Sequence, residues 1–490
     1  MMEWVIANMA PLMFGALVAF LLFGYPVAFA LAANGIVFGL IGIELGLLQP
    51  ALFQALPERI FGIMANDTLL AIPFFTFMGL ILERSGMAED LLDTIGQLFG
   101  PIRGGLAYAV IFVGALLAAT TGVVAASVIS MGLISLPIML RYGYDKRLAT
   151  GVIAASGTLA QIIPPSLVLI IMADQLGRSV GDMYEGAMIP GLVLTGLYFG
   201  YVALITIIKP DAAPALPPEA RSLRGLKLMT RALTSLVPPL ILIFLVLGTI
   251  FLGIATPTEG GAMGAAGALI LAISRKRLSW KLMKQAMETT GKLSSFVVFI
   301  LVGSTVFGLT FRAVNGDLWV EHLLLSLPGG EVGFLIVVNI MVFLLAFFLD
   351  FFELAFIIVP LLAPVADKLG IDLVWFGVLL AVNMQTSFMH PPFGFALFYL
   401  RSVAPAAIKT TDIYWGAIPF VCIQIIMVAL IILFPNIVSY GDPAQKEMQR
   451  MEREGTAPVI NLDTLIPQGD DGEETKGDGE LLKGLQSNDN

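Results

Sequence analysis

Residues 105–140 read GLAYAVIFVGALLAATTGVVAASVISMGLISLPIML, an apolar stretch interrupted at its middle by Thr120, Thr121 and Gly122. A second interrupted stretch spans residues 332–367. Each is long enough to cross a membrane, or to dip into it and return as a re-entrant hairpin. A hairpin adds no crossing. Each half of the chain then has five spans, and the two halves have opposite orientations in the membrane.

The second half of the chain repeats the first in a nearly constant register. Pro164-Pro165 matches Pro391-Pro392 at an offset of 227 residues, and each pair interrupts an apolar helix pattern. Proline and glycine are frequent in membrane helices, so single matches mean little, but several in one register indicate a repeat. The same offset relates Pro137 to Pro364, Gly143 to Gly370 and Asp145 to Asp372.

The fold class predicted is an all-α polytopic membrane protein with two inverted repeats of about five transmembrane helices. Each repeat has three apolar helices, a hairpin, a helix broken at Pro-Pro and a closing helix. The first repeat covers 1–208 with its hairpin at 105–140, and the second covers 234–435 with its hairpin at 332–367. A basic connector lies at 209–233, and the acidic composition of 436–490 predicts a disordered tail. The predicted segments are 8–24, 27–48, 66–84, 105–140, 148–177, 186–208, 234–253, 258–274, 294–312, 332–367, 372–402 and 413–435.

Basic residues test the hairpin interpretation, because cytoplasmic loops are enriched in Lys and Arg. With two hairpins, the loops 84–104, 141–147, 209–233, 275–292 and 401–412 share one face. That face carries 18 basic residues: Arg84, Arg103, Arg141, Lys146, Arg147, Lys209, Arg221, Arg224, Lys227, Arg231, Arg275, Lys276, Arg277, Lys281, Lys284, Lys292, Arg401 and Lys409. The other face carries four: Arg59, Arg178, Arg312 and Lys368. The asymmetry favours hairpins, makes the first face cytoplasmic and puts the tail outside.

The composition excludes several classes of protein. Of the 490 residues, 58% are hydrophobic and 13% are charged, with a mean hydropathy of +0.90. A soluble protein needs more charge to cover its surface, and no basic patch indicates nucleic-acid binding. The single cysteine, Cys422, is expected to be a packed membrane residue. No basic residue precedes the first apolar run, so we expect the first helix to be retained rather than cleaved as a signal peptide.

The first half offers candidate ligands at its hairpin tip and its broken helix. Inverted repeats with hairpins and broken helices are typical of transporters and place the site near the bilayer midplane. The hydroxyls of Thr120 and Thr121 and free carbonyls near Gly122 could replace part of the hydration shell of Na⁺. They could equally well serve only helix packing. The broken helix offers Ser156-Gly157-Thr158 and a carbonyl-releasing break at Pro164.

The second half offers a denser set of polar side chains. Five of them in eight residues would be costly facing lipid, so we expect a cavity lined by Asn383, Gln385, Thr386, Ser387 and His390. Thr120, Thr158 and Pro164 join Thr386, Ser387 and His390 as the predicted substrate contacts.

Three acidic residues lie inside apolar segments. An intramembrane carboxylate indicates function by default, and Asp350, near the second hairpin tip, could ligate Na⁺ or carry a proton. The alternative is that Asp350 caps a helix at a turn that reaches water. Glu353 could share its role. Glu259 is predicted to cap the helix that starts beside it, and His322 is expected to be solvated.

The chain shows none of the motifs for hydrolysis, metal binding or nucleotide binding that the known signatures describe. An ion gradient is therefore the expected energy source, and no metal or cofactor other than the coupling ion is expected; the resemblance described next implies that this ion is Na⁺.

Several runs resemble the large permease subunit of tripartite ATP-independent periplasmic (TRAP) transporters. The resemblance covers about residues 5–437. The matching runs are ATTGVVAASV at 119–128, GYDKRLATG at 143–151, ASGTL at 155–159, IPPS at 163–166 and GIATPTE at 253–259. Many members have Ser-Gly-Ser-Ser at the first tip, where this chain has Thr121-Gly122-Val123-Val124, so two hydroxyls are missing.

The resemblance implies a mechanism and partners. Such permeases resemble elevator-type transporters of the bacterial inner membrane. They take up organic anions, such as carboxylates, with a small four-helix membrane subunit and a periplasmic binding protein. It also implies sodium between each hairpin tip and the adjoining helix break. By position, the sodium ligands are Thr121, Gly122, Ser156 and Gly157 in one half, and Asp350, Asn383 and Gln385 in the other.

Three alternatives stay open at this stage. A stand-alone ion-coupled anion transporter of similar fold would need no binding protein. A channel would use the hairpins as a filter and show neither sodium dependence nor saturation. An intramembrane enzyme would use Asp350 as its catalyst, although a protease of that kind needs a second aspartate in a matching helix.

Overall fold

The computed structural model describes residues 2–441 except Ser222 and Arg224, and the side chains of all of these except Met2, Thr120 and Thr121. Residues up to Tyr440 form one compact unit. Every regular element in the described range is helical. The tail predicted from residue 436 starts inside this unit, because Val438 is buried and the Tyr440 hydroxyl donates to the Asp372 carboxylate. Its remainder, 442–490, lies outside the described residues.

The first half of the chain contains eleven helices. They are α1 (Met2–Ala7), α2 (Met9–Leu22), α3 (Val27–Glu44), α4 (Leu56–Met64), α5 (Asp67–Arg84), α6 (Met87–Phe99), α7 (Gly105–Thr121), α8 (Val124–Arg141), α9 (Lys146–Thr158), α10 (Leu167–Leu176) and α11 (Val180–Ile208).

The second half repeats this order with ten helices. A π-helical turn, Leu354–Ile358, joins α17 to α18. The helices are α12 (Leu226–Phe251), α13 (Pro257–Ser274), α14 (Trp280–Ala313), α15 (Gly316–Leu325), α16 (Gly330–Leu345), α17 (Phe351–Glu353), α18 (Val359–Lys368), α19 (Leu373–Gln385), α20 (Phe395–Val403) and α21 (Thr410–Leu433).

The residues that defined the repeat register play the same local roles in both halves. Gly143 and Gly370 each have a positive φ, 81° and 76°, in the turn before a broken helix. This conformation is open to glycine and strained for other residues. Asp145 then caps α9 by accepting from two backbone amides, and Asp372 caps α19 in the same way. A turn followed by an N-cap therefore starts both broken helices.

The five loops predicted to share the basic face contact one another. The carbonyl oxygens of Ala213 and Ala212 accept from the amides of Gly104 and Asp145 at 2.8 and 2.9 Å. Lys146 Nζ donates to the Ala407 carbonyl at 2.8 Å. Ion pairs join Arg231 to Asp93 and Arg277 to Asp90, at 3.0 and 2.9 Å. We call this side of the molecule the basic face.

Two ion pairs join other loops at the opposite side, which we call the outer face. Arg178 pairs with Asp367 at 3.9 Å, and Lys368 pairs with Glu321 at 2.6 Å. Gly104 and Asp145, which flank α7 and α8, lie together at the basic face. Lys368 ends α18 beside α15, which precedes α16, so α16 and α18 start and end at the outer face. The two interrupted stretches thus enter the molecule from opposite sides.

Length and composition identify fewer crossing helices than the ten predicted. Six helices qualify on their own, or up to eight if each bent helix pair counts as one span. The two halves of each broken helix are individually short, and α2 has only 14 residues. Helix α8 qualifies by length, yet it returns to the face where α7 starts.

The sequence reading missed helices inside predicted loops. Helix α6 lies in the loop 84–104, and α12 and α14 begin inside the loops 209–233 and 275–292. Helix α6 is amphipathic, because Leu91, Leu92 and Ile95 are buried while acidic residues line its other side. Such a helix carries no continuous apolar run, so a search for membrane spans overlooks it. Cys422 is exposed on α21 rather than packed, because its face of that helix points outward.

The helices pack in two groups. The frame group contains α2–α5 and α12–α14, in which α3 packs on α14 and α5 on α13. The hairpin group contains α7–α11 and α16–α21, in which α9 packs on α21 and α10 on α19. Helices α6 and α15 contact both groups, and α5 of the frame group also packs directly on α7 and α10. In each of these pairs one helix comes from each half of the chain, so neither half is a separate domain.

Glycines allow the closest crossing in the hairpin group. A β-carbon on Gly151 of α9 would lie 2.1 Å from the carbonyl oxygen of Gly416 on α21, and one on Gly416 would lie 2.2 Å from the Arg147 carbonyl oxygen. Small residues let membrane helices approach to backbone contact, where packing contributes most.

Replacing Gly151 by alanine must push α9 and α21 apart. We expect the variant to lose about 1–3 kcal/mol of stability, seen as a lower melting temperature of the purified protein in detergent. The control is Gly200→Ala on α11, where no atom lies within 4 Å of the added carbon. Equal melting temperatures for the two variants would contradict the close crossing.

Candidate functional site

Each hairpin tip lies against the broken helix of its own half. Gly122 ends α7 with a φ of +58°, and a β-carbon there would lie 3.5 Å from both the Pro165 carbonyl oxygen and the Leu167 amide nitrogen. In the second half, the His390 ring stacks on Phe347 at 4.2 Å between ring centroids and meets Phe343 at 4.4 Å. Both tips are therefore held at a helix break.

A cavity of about 140 Å³ lies where the two tips and the two breaks converge. Its wall contains no Lys, Arg, Asp or Glu. The lining residues are Gly122, Val123, Val124, Ala125, Gln161, Leu167, Val168, Leu293, Phe351, Phe352, Phe388 and Tyr399. We call it the central cavity.

The central cavity is ringed by the first turns of helices. Helix α8 starts at Val124 without a side-chain cap, and α10 starts at Leu167. Phe351 and Phe352 begin the continuous helical segment of the second tip. The N-terminal turn of a helix presents free amides and the positive end of its dipole. Ser166 and Asp350 already accept from first-turn amides at the other two starts. Helix α8, which has no side-chain cap, is therefore the helix end that can offer partial positive charge to the cavity.

Ser156 and Gly157 lie where α9 crosses the first hairpin. Ser156 is fully buried against Gly114 of α7, and its hydroxyl makes no hydrogen bond to any described residue. A β-carbon on Gly157 would lie 2.3 Å from a methyl carbon of Val128 on α8. Gly157 thus permits close packing, whereas the Ser156 hydroxyl remains available to a ligand.

Two residues at the same repeat position meet at the centre of the molecule. Gln385 Nε2 donates to Thr158 Oγ1 at 3.1 Å, and both side chains are fully buried. These residues are separated by 227 positions, the offset of the repeat. Gln424 Nε2 donates to the Tyr198 hydroxyl at 3.0 Å beside this pair. The polar residues of the two broken helices therefore join the halves directly.

The other polar residues of the second broken helix have separate surroundings. Asn383 Nδ2 donates to the backbone and side-chain oxygens of Asn339 on α16, at 2.8 and 2.9 Å. The Thr386 hydroxyl donates to the Asn383 carbonyl at 2.6 Å. Ser387 is buried, and its hydroxyl has no hydrogen-bond partner within the described part of the chain. Pro164 is buried in the first break.

The carboxylates at the second tip form a helix cap. Asp350 Oδ1 accepts from the Glu353 amide, and Glu353 Oε2 accepts from the Asp350 amide, both at 2.9 Å. Within the described part of the chain, no side-chain hydrogen bond joins Asp350 to Asn383 or Gln385. The cap predicted for Glu259 is confirmed, because its Oε2 accepts from the Thr256 amide at 2.8 Å. The Thr120 and Thr121 side chains lie outside the described part, and His322 is exposed.

Sequence reasoning missed several residues of the central cavity. Gln161 is 2% exposed, and its Oε1 makes no hydrogen bond to any described residue. Its place among the polar residues before Pro164 was the available signal. Phe388 and Tyr399 line the cavity as well, but aromatic residues in apolar helices carry no comparable signal.

Removing the Thr158 hydroxyl should leave the Gln385 amide buried and unpaired. We expect Thr158→Val to lower stability by about 1–3 kcal/mol and the double variant Thr158→Val/Gln385→Leu to recover part of the loss. Melting temperatures of the four proteins in the cycle measure the coupling, with Thr249→Val on α12 as the control. Strict additivity would show that the two side chains do not interact.

Comparison with known proteins identifies relatives along most of the chain. The family model for the DctM component of the tripartite ATP-independent periplasmic transporter matches residues 14–437. The C4-dicarboxylate TRAP transporter large permease protein DctM of Pseudomonas aeruginosa is 31% identical over 406 residues, covering 81% of this chain and 92% of that protein.

Relatives with other substrates match as well. The sialic acid TRAP transporter permease protein SiaT of Haemophilus influenzae is 26% identical, covering 79% of this chain and 62% of that protein. The isethionate permease DctMQ of Oleidesulfovibrio alaskensis is 29% identical, covering 70% and 53%.

A solved structure confirms the fold class. The YdaH transporter of Alcanivorax borkumensis aligns with a TM-score of 0.54 at 15% identity, covering 80% of this chain and 91% of that one. The family and the three permeases named above are transport proteins, which supports a multi-pass inner-membrane transporter component rather than an enzyme. Such a component implies a small membrane subunit and a periplasmic binding protein as partners. The chain belongs to the family of TRAP transporter large permease subunits, the DctM components.

Proposed function

We propose that this permease couples the inward movement of Na⁺ to the uptake of a small organic anion that a periplasmic binding protein delivers. The central cavity carries the proposal, because it lies where both hairpin tips meet both helix breaks. A carboxylate or sulfonate suits a wall that offers the N-terminus of α8 and the Gln161 side chain. The relatives named for C4-dicarboxylate, sialic acid and isethionate also carry organic anions.

The absence of a cation from the described cavity wall fits a carrier better than a tight binding site. A buried arginine would hold a carboxylate strongly through charge-assisted hydrogen bonds, whereas helix ends hold it more weakly. A transporter must release its substrate on the other side in every cycle. Weak anion binding would then depend on a second ligand, and bound Na⁺ supplies positive charge at the moment of binding.

We propose the first sodium site between Gly122 and the break at Pro165–Leu167. The proposed ligands are tip and break carbonyls and the Thr121 hydroxyl. Ser156 lies against Gly114, about 12 Å along α7 from Gly122, and would support the site without contacting the ion. Hard cations such as Na⁺ prefer oxygen ligands of this kind. A second site at the other tip would use Asp350, whose Oδ1 already accepts from the Glu353 amide. Gly157, Asn383 and Gln385 would support these sites through packing and hydrogen bonds.

We propose an elevator movement of the hairpin group against the frame group. Three side-chain hydrogen bonds cross between the groups, each at 2.6 Å: Ser130 to Glu83, Asn66 to Asp174 and Ser304 to the Phe356 carbonyl. Few polar links would have to break for the groups to slide. A moving group that carries both tips and both breaks would transport the central cavity intact.

The first test is sodium-driven uptake by the complete transporter in proteoliposomes. A thermal-shift screen of the partner binding protein against C4-dicarboxylates, sugar acids, keto acids and sulfonates supplies the substrate. We expect an inward Na⁺ gradient to drive saturable uptake of the best ligand, and only in the presence of the binding protein. Uptake that is equal with and without the gradient would contradict sodium coupling, and unsaturable uptake would indicate a channel.

Asp350→Asn tests the second sodium site. Loss of the carboxylate charge should raise the Na⁺ concentration for half-maximal uptake by about tenfold, because one anionic ligand is lost. Asparagine keeps the cap, since its side-chain oxygen also accepts from the Glu353 amide. Glu259→Gln, at the exposed capping box of α13, is the matched control. Unchanged sodium dependence in Asp350→Asn would refute this assignment.

A further inference from the structure

A cleft of about 210 Å³ separates the two helix groups near the outer face. One wall belongs to α4, α5 and α14 of the frame group, and the other to α10 and the segment 356–361 of the hairpin group. Phe307, Phe356 and Leu361 give it an apolar lining. We call it the outer cleft. It is distinct from the central cavity and shares no lining residue with it.

The unpaired basic residues of the outer face lie in the outer cleft. Of the four basic residues there, Arg178 pairs with Asp367 and Lys368 pairs with Glu321. The other two, Arg59 and Arg312, line the outer cleft, and neither forms an ion pair or side-chain hydrogen bond with a described residue.

The carboxylate in the cleft is already engaged. Asp174 accepts from Asn66 Nδ2 at 2.6 Å and from Gln175 Nε2 at 2.8 Å. Each of its two oxygens accepts one hydrogen bond from a neutral amide, and the cleft lining carries two arginines against this one carboxylate. The two guanidinium groups retain free donors, and their planar fork binds a carboxylate or sulfonate with two hydrogen bonds.

The position of the cleft favours a small anion over a protein surface as the ligand. The site is concave, its volume suits a small molecule, and its walls belong to the two groups that must separate in an elevator movement. Cations at a cleft raise the local concentration of anions and the rate of their capture. Arginines outside the central cavity would attract the substrate without holding it at the transport site.

We propose that Arg59 and Arg312 form an admission site for organic anions, at which the carboxylate or sulfonate of the substrate binds before it reaches the central cavity. This rests on the proposed uptake of an organic anion. It adds a second binding site and assigns two recognition residues on the frame group, Arg59 on α4 and Arg312 on α14.

The charge of the outer cleft can be measured without knowing the substrate. In a Cys422→Ala background, Thr305→Cys puts one thiol in the cleft wall. Its reaction rate with anionic 2-sulfonatoethyl methanethiosulfonate is divided by its rate with the cationic trimethylammonium analogue. Arg59→Gln and Arg312→Gln should each lower this ratio about threefold at low salt, as one screened unit charge does. Arg178→Gln and Lys368→Gln, which remove paired cations of the same face, should leave it nearly unchanged.

A second measurement links the cleft to transport. In proteoliposomes, Arg59→Gln and Arg312→Gln should raise the KM for the anion several-fold and leave the maximal rate and the sodium dependence near wild type. An unchanged labelling ratio or an unchanged KM would overturn the admission site. Variants that weaken binding of the binding protein but keep the labelling ratio would assign the arginines to docking and also overturn it. Absence of sodium-driven uptake in the wild type would instead refute the proposed function, whatever the labelling ratio.

Discussion

Two helices of this protein stop inside an apolar body, and the backbone groups freed there must find partners away from lipid. The first break is closed by Ser166, which accepts from the amides of Val168 and Leu169 and donates to the Gln161 carbonyl. The second closes through the Gly394 amide, which donates to the His390 carbonyl at 2.6 Å. Each break is then covered by a hairpin tip. The hairpins, the close glycine crossings and the central cavity all follow from this requirement.

The unpaired cations of the outer face and the proposed transport site lie in different parts of the protein. On the basic face, Arg275 and Arg277 pair with Asp90, and Arg231 pairs with Asp93. On the outer face, the unpaired cations concentrate in one cleft between the helix groups. The central cavity carries none and relies on helix ends. In our proposal an anion meets decreasing positive charge along its path, which lets it enter quickly and leave readily once Na⁺ departs.

The sequence predicted the parts of this fold that depend on local chemistry. The breaks at Pro164 and Pro391 follow from residue types that act within one turn, and the repeat register follows from matching such residues. The match of Asp145 with Asp372 was part of that register, but their role as N-caps was seen only in the structure. Amphipathic helices such as α6 escaped, because half of their surface is polar. Contacts between distant segments, such as the one between Asn383 and Asn339, were also not predicted. Arg59 and Arg312 entered the sequence argument only as a count of charges, and their convergence on one cleft needs the tertiary fold.

We propose that one cavity, formed by both hairpin tips and both helix breaks, opens to the two faces of the membrane in turn. Ala125 lines that cavity, so Ala125→Cys in a Cys422→Ala background reports its accessibility to a membrane-impermeant thiol reagent. We expect labelling from either face of oriented vesicles, and we expect Na⁺ and substrate to change the fraction of protein labelled from each face. Labelling from one face alone under every ionic condition would contradict it.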